Sequence, residues 1–214
     1  MTLTVCLGRS TYEVIHAVRP GFQAKVHVVQ AMGSMAFAQQ TLDSGALARL
    51  LAHKLGGEVT NLSAPGMADS AEAAAVLRRQ RDIERALNLA RAAQVALLGI
   101  GNLDPAISNF VTAGFITPAE LLTMQSQGAV GDMGGQLFTG AGQLFDSPFN
   151  QRLIGLTLAE LKQIPLTIAV AAGLPKATAI LGALRSAAIN VLCTDMETAT
   201  AILNYELVPN RSFS

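Results

Sequence analysis

The sequence lacks several features that define common classes of protein. It has no tryptophan, only two cysteines, and a charged fraction of 14% within 214 residues. Its formal net charge is zero, which argues against a wide basic surface for nucleic acid. No basic-then-apolar signal segment opens the chain, and no apolar run reaches the roughly 18 residues that cross a bilayer. We therefore expect a cytoplasmic protein without a membrane partner.

Residues that could bind a metal or form disulfides are few and scattered. Cys6 and Cys193 each lie in an apolar, strand-like run, where a free cysteine packs as a small hydrophobe. The three histidines have neither metal-ligand spacing nor a triad arrangement, and they are His16, His27 and His53. We expect no disulfide, no metal and no cofactor.

What the chain has in quantity is apolar sequence, at 50% of its residues, arranged as strands that alternate with helices. This alternation predicts parallel βαβ units, and so an α/β fold with a parallel sheet flanked by helices. Two Thr-x-x-Glu capping boxes, at Thr117 and Thr157, predict helix starts. Five arginines interleaved with acids predict a solvated face on one long helix over 71–92. A glycine-rich loop and small hairpin are expected over 128–145, and a frayed tail after Pro209.

The remaining predicted elements follow the same alternation. Strands are expected at 24–31, 58–62, 95–100, 166–171 and 189–193, and helices at 46–55, 177–187 and 195–204. The glycine turns all follow strands, so they gather at the carboxyl edge of the sheet, where open α/β sheets bind their ligands.

The first candidate site is the turn from the first strand into the first helix, Gly8-Arg9-Ser10-Thr11. The first amides of a helix are unpaired and attract anions, and two hydroxyls and a guanidinium stand beside them. An arginine at this end opposes the helix dipole unless an anion lies between them. The simpler alternative is that Ser10 only caps the helix.

Two further candidates carry charge. Lys176 lies in the first turn of a helix, where an anionic ligand would favour it; the alternatives are a solvated side chain or a Schiff-base nucleophile. Asp132, flanked by glycine in GAVGDMGG, could accept hydrogen bonds from sugar hydroxyls or only satisfy its own turn. Gly99-Ile100-Gly101 lacks the third glycine of a dinucleotide fingerprint, and we do not interpret it as one.

Six segments in order carry a family resemblance. They are GRSTYEV at 8–14, LSAP at 62–65, ALLGIGNL at 96–103, GAVGDMGGQLF at 128–138, NQRLIGLTLAELKQIP at 150–165, and the run at 168–203. With these segments the chain resembles the sugar-binding effector domain of the SorC family of bacterial transcriptional regulators. It departs from the family pattern in having Ala187-Ala188 in place of a glycine pair, Ala172 for a glycine, and Met196 for an acid.

The resemblance implies a Rossmann-like fold shared with ribose-phosphate isomerases, glucosamine-phosphate deaminases and CoA transferases. It implies a phosphorylated sugar or polyol as effector, with the phosphate on Ser10, Thr11 and the Lys176 turn. Asp132 would accept from sugar hydroxyls, and Gly33 and Ser34 would line the pocket. Residues 1–214 would form the effector domain of a homo-oligomer, dimer or tetramer. Operator DNA would be bound only by the family's N-terminal helix-turn-helix, which is missing from this sequence.

Three functions remain open at this point. The first is a ligand-sensing module of a transcriptional regulator, since the predicted pocket has anion-holding groups and no catalytic pair. The second is a sugar-phosphate isomerase or deaminase of the same fold, for which Asp132 is the obvious base. The third is a purely structural oligomerisation domain, which predicts no saturable ligand.

Overall fold

The computed structural model describes residues 1–21, 24–35 and 43–207. Its strands are β1 (Thr2–Val5), β2 (His27–Gln30), β3 (Glu58–Thr60), β4 (Val95–Asn102), β5 (Ala129–Met133), β6 (Gln136–Thr139), β7 (Leu166–Val170) and β8 (Val191–Cys193). Its helices are α1 (Arg9–Ala17), α2 (Ser44–Leu55), α3 (Ala71–Arg78), α4 (Arg81–Arg91), α5 (Asn109–Thr112), α6 (Pro118–Ser126), α7 (Pro148–Gln151), α8 (Leu158–Leu161), α9 (Ala177–Arg185) and α10 (Met196–Leu207). A short 3-10 helix, Leu174–Lys176, leads into α9.

Six strands form a parallel sheet in the order β3-β2-β1-β4-β7-β8, which confirms the expected α/β fold. The strand order reverses between β1 and β4, so the sheet has its topological switch point there. The last three residues of β4 pair instead with β5, which is antiparallel and forms a hairpin with β6. The expected hairpin therefore lies within 129–139, around the turn at Gly134 and Gly135.

Both faces of the parallel sheet are covered. Val5, Val28 and Leu97 pack with residues of α1 and α2 in one apolar cluster. Their chain neighbours Val29 and Ala96 belong to a second and larger cluster on the other face. Strands that are buried on both faces need continuous apolar sequence, which explains the runs seen in the sequence.

The expected single helix over 71–92 is wrong, because the helix is interrupted between α3 and α4. Gln80 has an extended backbone, with φ −63° and ψ 132°, and it begins α4. The buried face of α4 begins at Ile83. If the helix continued towards its N-terminus, Arg79 and Gln80 would lie on this same face, four and three residues before Ile83. The next apolar residue on that face, Val76, is 59% exposed. A continuous helix would have to bury polar residues, whereas the break lets α3 bury Ala74 instead.

Several boundaries differ from the sequence expectations by a few residues. The strands β2, β3, β7 and β8 are shorter than expected, whereas β4 continues beyond the expected end at 100 to Asn102. Helix α2 begins at Ser44 because the Asp43 side chain accepts a hydrogen bond from the amide of Gly45. Helix α9 ends at Arg185 and is followed by Ala187, which has a φ of 56°. Both predicted capping boxes are present, at the starts of α6 and α8. The tail after Pro209 lies outside the described residues.

The cysteines and histidines occupy ordinary structural positions, with one correction. Both cysteines are free; Cys6 is buried as expected, but Cys193 is exposed, because β8 is the edge strand of the parallel sheet. His27 Nε2 lies 2.7 Å from Thr60 Oγ1 and joins β2 to β3. The ring of His16 packs against that of Tyr12, with the centroids 4.2 Å apart and the ring planes tilted by 38°.

Candidate functional site

A cavity of about 270 Å³ lies at the switch point, beside the carboxyl ends of β1 and β4. Its volume is near the lower end of the range for small-molecule sites, roughly 300–1,000 Å³. The lining residues come from four parts of the chain, namely the β1–α1 turn, the end of β4 with the segment that leads into α5, the β5–β6 hairpin, and the turn before α9.

The floor of this cavity is the start of α1. Gly8 is the N-cap, with a φ of 138°, and no side chain caps this end of the helix. Ser10 therefore lies inside the first turn and does not act as the cap. The first-turn amides are left without intrahelical partners, and Gly8, Arg9 and Ser10 line the cavity. A helix end of this kind is a site for an anion.

Lys176 brings a second cation to the cavity. Its Nζ donates a hydrogen bond of 2.9 Å to the carbonyl oxygen of Ile100, at the end of β4. Burial lowers the pKa of Lys176, and the positive charge of Arg9 acts in the same direction, whereas Asp132 opposes the shift. Two cations brought close to a helix N-terminus repel one another, so an anion bound between them would be stabilised.

Asp132 lies on the hairpin wall of the same cavity. It is opposite Gly101 in the β4–β5 pairing, and a side chain at Gly101 would collide with Asp132 Oδ1. Burial raises the pKa of Asp132 to about 6, although Lys176 and a backbone hydrogen bond from Gly135 act against the rise. No ion pair joins Asp132 to Lys176 within 4 Å in the described part of the chain.

Thr11 lies directly behind the cavity floor. It is fully buried, and its Oγ1 has no hydrogen-bond partner among the described residues. This oxygen lies 3.6 Å from where a Cβ atom would stand on either Gly8 or Gly99, and both of these glycines line the cavity. Thr11 is therefore next to the floor but does not line it.

Gly33 and Ser34 lie outside the lining of this cavity. The amide of Gly33 donates to the carbonyl of Ile154, and Ser34 Oγ donates to Asp43 Oδ2 at 3.1 Å. A Cβ atom on Gly33 would collide with the carbonyl oxygens of Ala64 and Pro65, so glycine is needed there for the approach of two loops. Of the eight residues singled out in the sequence, five line the cavity: Gly8, Arg9, Ser10, Asp132 and Lys176.

Sequence reasoning missed a polar wall formed by Asn102, Ser108 and Asn109. Asn102 ends β4, and its Nδ2 lies 3.4 Å from the carbonyl oxygen of Pro175. Asn102 could have been predicted from the sequence, since it follows the apolar strand expected at 95–100 and so lies at the carboxyl edge of the sheet. Ser108 and Asn109 follow an irregular segment and α5 has only four residues, so no periodic pattern pointed to them.

The described residues give little support for a cysteine nucleophile or a metal site at this cavity. Cys6 also lines the cavity, but burial raises the pKa of its thiol to about 12, so it is not a nucleophile at neutral pH. Among the residues described, no three His, Cys, Asp or Glu side chains are grouped as metal ligands. No helix within the described ranges is long and apolar enough to span a membrane.

A parallel sheet with a polar cavity at its switch point, bordered by an uncapped helix start, defines a small-molecule-binding α/β domain. A family model described as "Putative sugar-binding domain" matches residues 1–204, and the chain belongs to this family. A putative sugar-binding domain of a transcriptional repressor from Vibrio fischeri has the same fold, with a TM-score of 0.89 and 32% identity. The match covers 97% of this chain and 81% of that one.

Relatives named as transcriptional regulators confirm the resemblance. The transcriptional regulator LsrR of Enterobacter sp. is 37% identical over 147 residues, or 68% of this chain and 46% of the relative. The deoxyribonucleoside regulator of Bacillus subtilis is 29% identical over 201 residues, or 94% of this chain and 63% of the relative. The full-length sorbitol operon regulator SorC of Klebsiella pneumoniae shares the fold, with a TM-score of 0.86 at 23% identity, over 94% of this chain and 66% of that one. The chain thus spans about half to two thirds of these longer proteins.

Proposed function

We propose that this chain is the effector-sensing part of a cytoplasmic transcriptional regulator and that its effector is a phosphorylated sugar or polyol. The observation that carries the proposal is the cavity in which the uncapped start of α1 meets two cations, Arg9 and Lys176, neither of which forms a salt bridge with a carboxylate of the described residues. Membership in the sugar-binding domain family supports a carbohydrate as the remainder of the ligand.

The proposed orientation of the ligand follows from the charges. The phosphate lies on the amides of the first turn of α1, with Arg9, Ser10 and Lys176 around it. The hydroxyl groups face the wall that holds Asp132 and Asn102. Thr11 Oγ1 lies behind Gly8, buried and without a partner among the described residues, so we assign Thr11 to the support of this floor rather than to direct contact with the phosphate.

The output of the sensor is a change in assembly. We propose that occupancy favours one arrangement of subunits in a homo-oligomer, and that this arrangement controls DNA binding by a helix-turn-helix elsewhere in the full-length regulator. The names of the relatives, which include a deoxyribonucleoside regulator and a sorbitol operon regulator, support this role.

A sugar-phosphate isomerase or deaminase is the second candidate. Asp132 favours it, because a carboxyl with a pKa of about 6 is suited to general acid-base catalysis near neutral pH. No histidine and no second carboxylate line the cavity as the described residues form it. We therefore infer a sensor that has no turnover, and Asp132→Asn separates the two candidates, since only an enzyme has turnover to lose.

The experiment that tests the proposal is a thermal-shift screen with sugar phosphates, free sugars and polyols. A ligand at about 100 times its Kd adds roughly 2.7 kcal/mol to the free energy of unfolding. Phosphorylated compounds should raise the Tm of the wild type, and Lys176→Met should abolish this response while keeping the aliphatic stem. Lys162→Met removes an exposed lysine outside the cavity lining and serves as the matched control.

Each other result of the screen contradicts a specific part of the proposal. Stabilisation only by unphosphorylated polyols contradicts the roles of Arg9, Ser10 and Lys176. Turnover of a bound sugar phosphate contradicts the sensor and favours the enzyme. The absence of any saturable ligand favours the structural oligomerisation domain.

A further inference from the structure

The charges around the cavity are unevenly distributed. Arg9, Lys176 and Asp132 are the side chains of its described lining that carry charge at neutral pH. Cys6 stays protonated, and the other polar groups of the lining are neutral hydroxyls and amides. The cavity therefore has two positive charges and one negative charge with which to recognise a ligand.

The positive and negative groups lie at different places along the cavity. Arg9 follows β1 at the start of α1, whereas Asp132 belongs to the antiparallel hairpin, opposite Gly101. Lys176 reaches the cavity from the turn before α9, and its Nζ donates a hydrogen bond to the carbonyl oxygen of Ile100, the residue before Gly101. The cavity thus has a cationic end at α1 and an anionic end at the hairpin.

Asp132 is held at its end by the surrounding backbone. Asp132 is paired with Gly101 across the two strands, and the missing side chain of Gly101 makes the space that its carboxylate fills. The carboxylate therefore lies against the backbone of β4, next to any second anionic group placed at this end of the cavity. Like charges brought together at a desolvated site disfavour binding strongly, which is how a site rejects a wrong ligand.

We propose that Asp132 is a specificity-determining residue that restricts the site to ligands with a single phosphate, and that it excludes sugar bisphosphates. This inference rests on the proposed function and adds the class of phosphate ester. The phosphate of a monophosphate occupies the cationic end, and its far hydroxyl groups donate hydrogen bonds to Asp132. The far phosphate of a bisphosphate would face the Asp132 carboxylate, with no cation of the described lining beyond Lys176 to neutralise it. The small cavity, of about 270 Å³, adds to this restriction.

The test measures Kd by titration calorimetry for two matched pairs of probes at pH 7.5. The pairs are fructose 6-phosphate with fructose 1,6-bisphosphate, and ribulose 5-phosphate with ribulose 1,5-bisphosphate, and inorganic phosphate is titrated beside them. In the wild type we expect the bisphosphate of a pair to bind at least about tenfold more weakly than its monophosphate. Asp132→Asn, which keeps the shape of the side chain, should reduce this ratio to near one by improving bisphosphate binding.

Asp104→Asn is the matched control, because Asp104 is exposed and lies outside the described lining. It removes the same formal charge and should leave the ratio unchanged. A bisphosphate that binds the wild type as tightly as its monophosphate, or a ratio that Asp132→Asn leaves unchanged, overturns the inference and leaves the proposed function intact. If neither the esters nor inorganic phosphate bind, the proposed function fails and the inference fails with it.

Discussion

Asp132 shows at the scale of one residue how a desolvated carboxyl group can cost stability. Its pKa is raised by burial from 3.8 to about 6, so ionisation of the folded state is unfavourable between these two values. The contribution of Asp132 to stability therefore falls as the pH rises from about 4 to about 6, and the loss is complete above that range. Residues kept for function are often strained in this way.

Asp132→Asn should therefore stabilise the protein above pH 6. A shift of about two pH units corresponds to roughly 3 kcal/mol, and partial solvent screening reduces our expectation to about 2 kcal/mol. Urea denaturation at pH 8 measures the gain, and the same measurement at pH 4 should show almost none. An equal gain at both pH values would show that ionisation of Asp132 is not its cause.

Ala187 is strained because an alanine occupies a left-handed conformation, with a φ of 56°. Ala187→Gly removes this strain, which is roughly 1–2 kcal/mol. The greater conformational freedom of glycine in the unfolded chain offsets part of the gain in stability. We expect a net gain of about 0.5–1 kcal/mol in urea denaturation. Ala75→Gly, at an exposed position inside α3, should instead cost about 1 kcal/mol. Destabilisation by both changes would contradict the strain at Ala187.

At the scale of elements, the two capping boxes differ in what surrounds them. Glu160 of the second box accepts a 2.7 Å hydrogen bond from the amide of Thr157 and a 2.6 Å one from Arg91 Nε. Arg78 is 3.8 Å away on another helix. Burial alone would raise the pKa of Glu160, but the bonds from Thr157 and Arg91 hold it below its ordinary value. This carboxylate thus joins α8 to α3 and α4, whereas Glu120 of the first box is exposed.

Glu160→Gln should destabilise the protein by about 1–2 kcal/mol, since it weakens a charge-assisted contact that joins three helices. Glu120→Gln is the matched control in the exposed box and should cost less than Glu160→Gln. Because the pKa of Glu160 is lowered in the folded state, its contribution is present above pH 4.5 and declines as the pH falls through the folded-state value. Denaturation curves at pH 7 and pH 3 measure this difference, and equal costs for the two variants at pH 7 would contradict it.

Sequence patterns predicted these elements well where one local rule decided them. The glycine turn at Gly8 into α1, the two capping boxes and the end of α2 at Leu55 are as expected, because each depends on neighbouring residues alone. The break between α3 and α4 was missed, because local propensity is helical throughout and only packing opposes continuation. The pairing of the end of β4 with β5 was also missed, because strand pairing depends on distant residues.

At the scale of the whole molecule, ligand binding and assembly should be linked. If a sugar phosphate shifts the association constant of subunits by a given factor, the assembled form must bind that ligand more tightly by the same factor. Analytical ultracentrifugation with and without a saturating sugar phosphate should show this shift, typically about 5-fold to 150-fold. An association constant that the ligand leaves unchanged would contradict transmission through assembly.

The sequence by itself determined the alternation of strands and helices, the family, and the residues of the turn that we propose as the anion site. These features follow from periodicity, capping and short motifs, all of which act over a few neighbouring residues. Only the tertiary structure decided which of the candidates meet. It brought Asp132 and Lys176 to the turn at Gly8, added Asn102 and Asn109, and left Gly33 and Ser34 outside the cavity lining. The physical reason is that strand order places distant loops side by side, and strand order is set by the packing of the whole sheet.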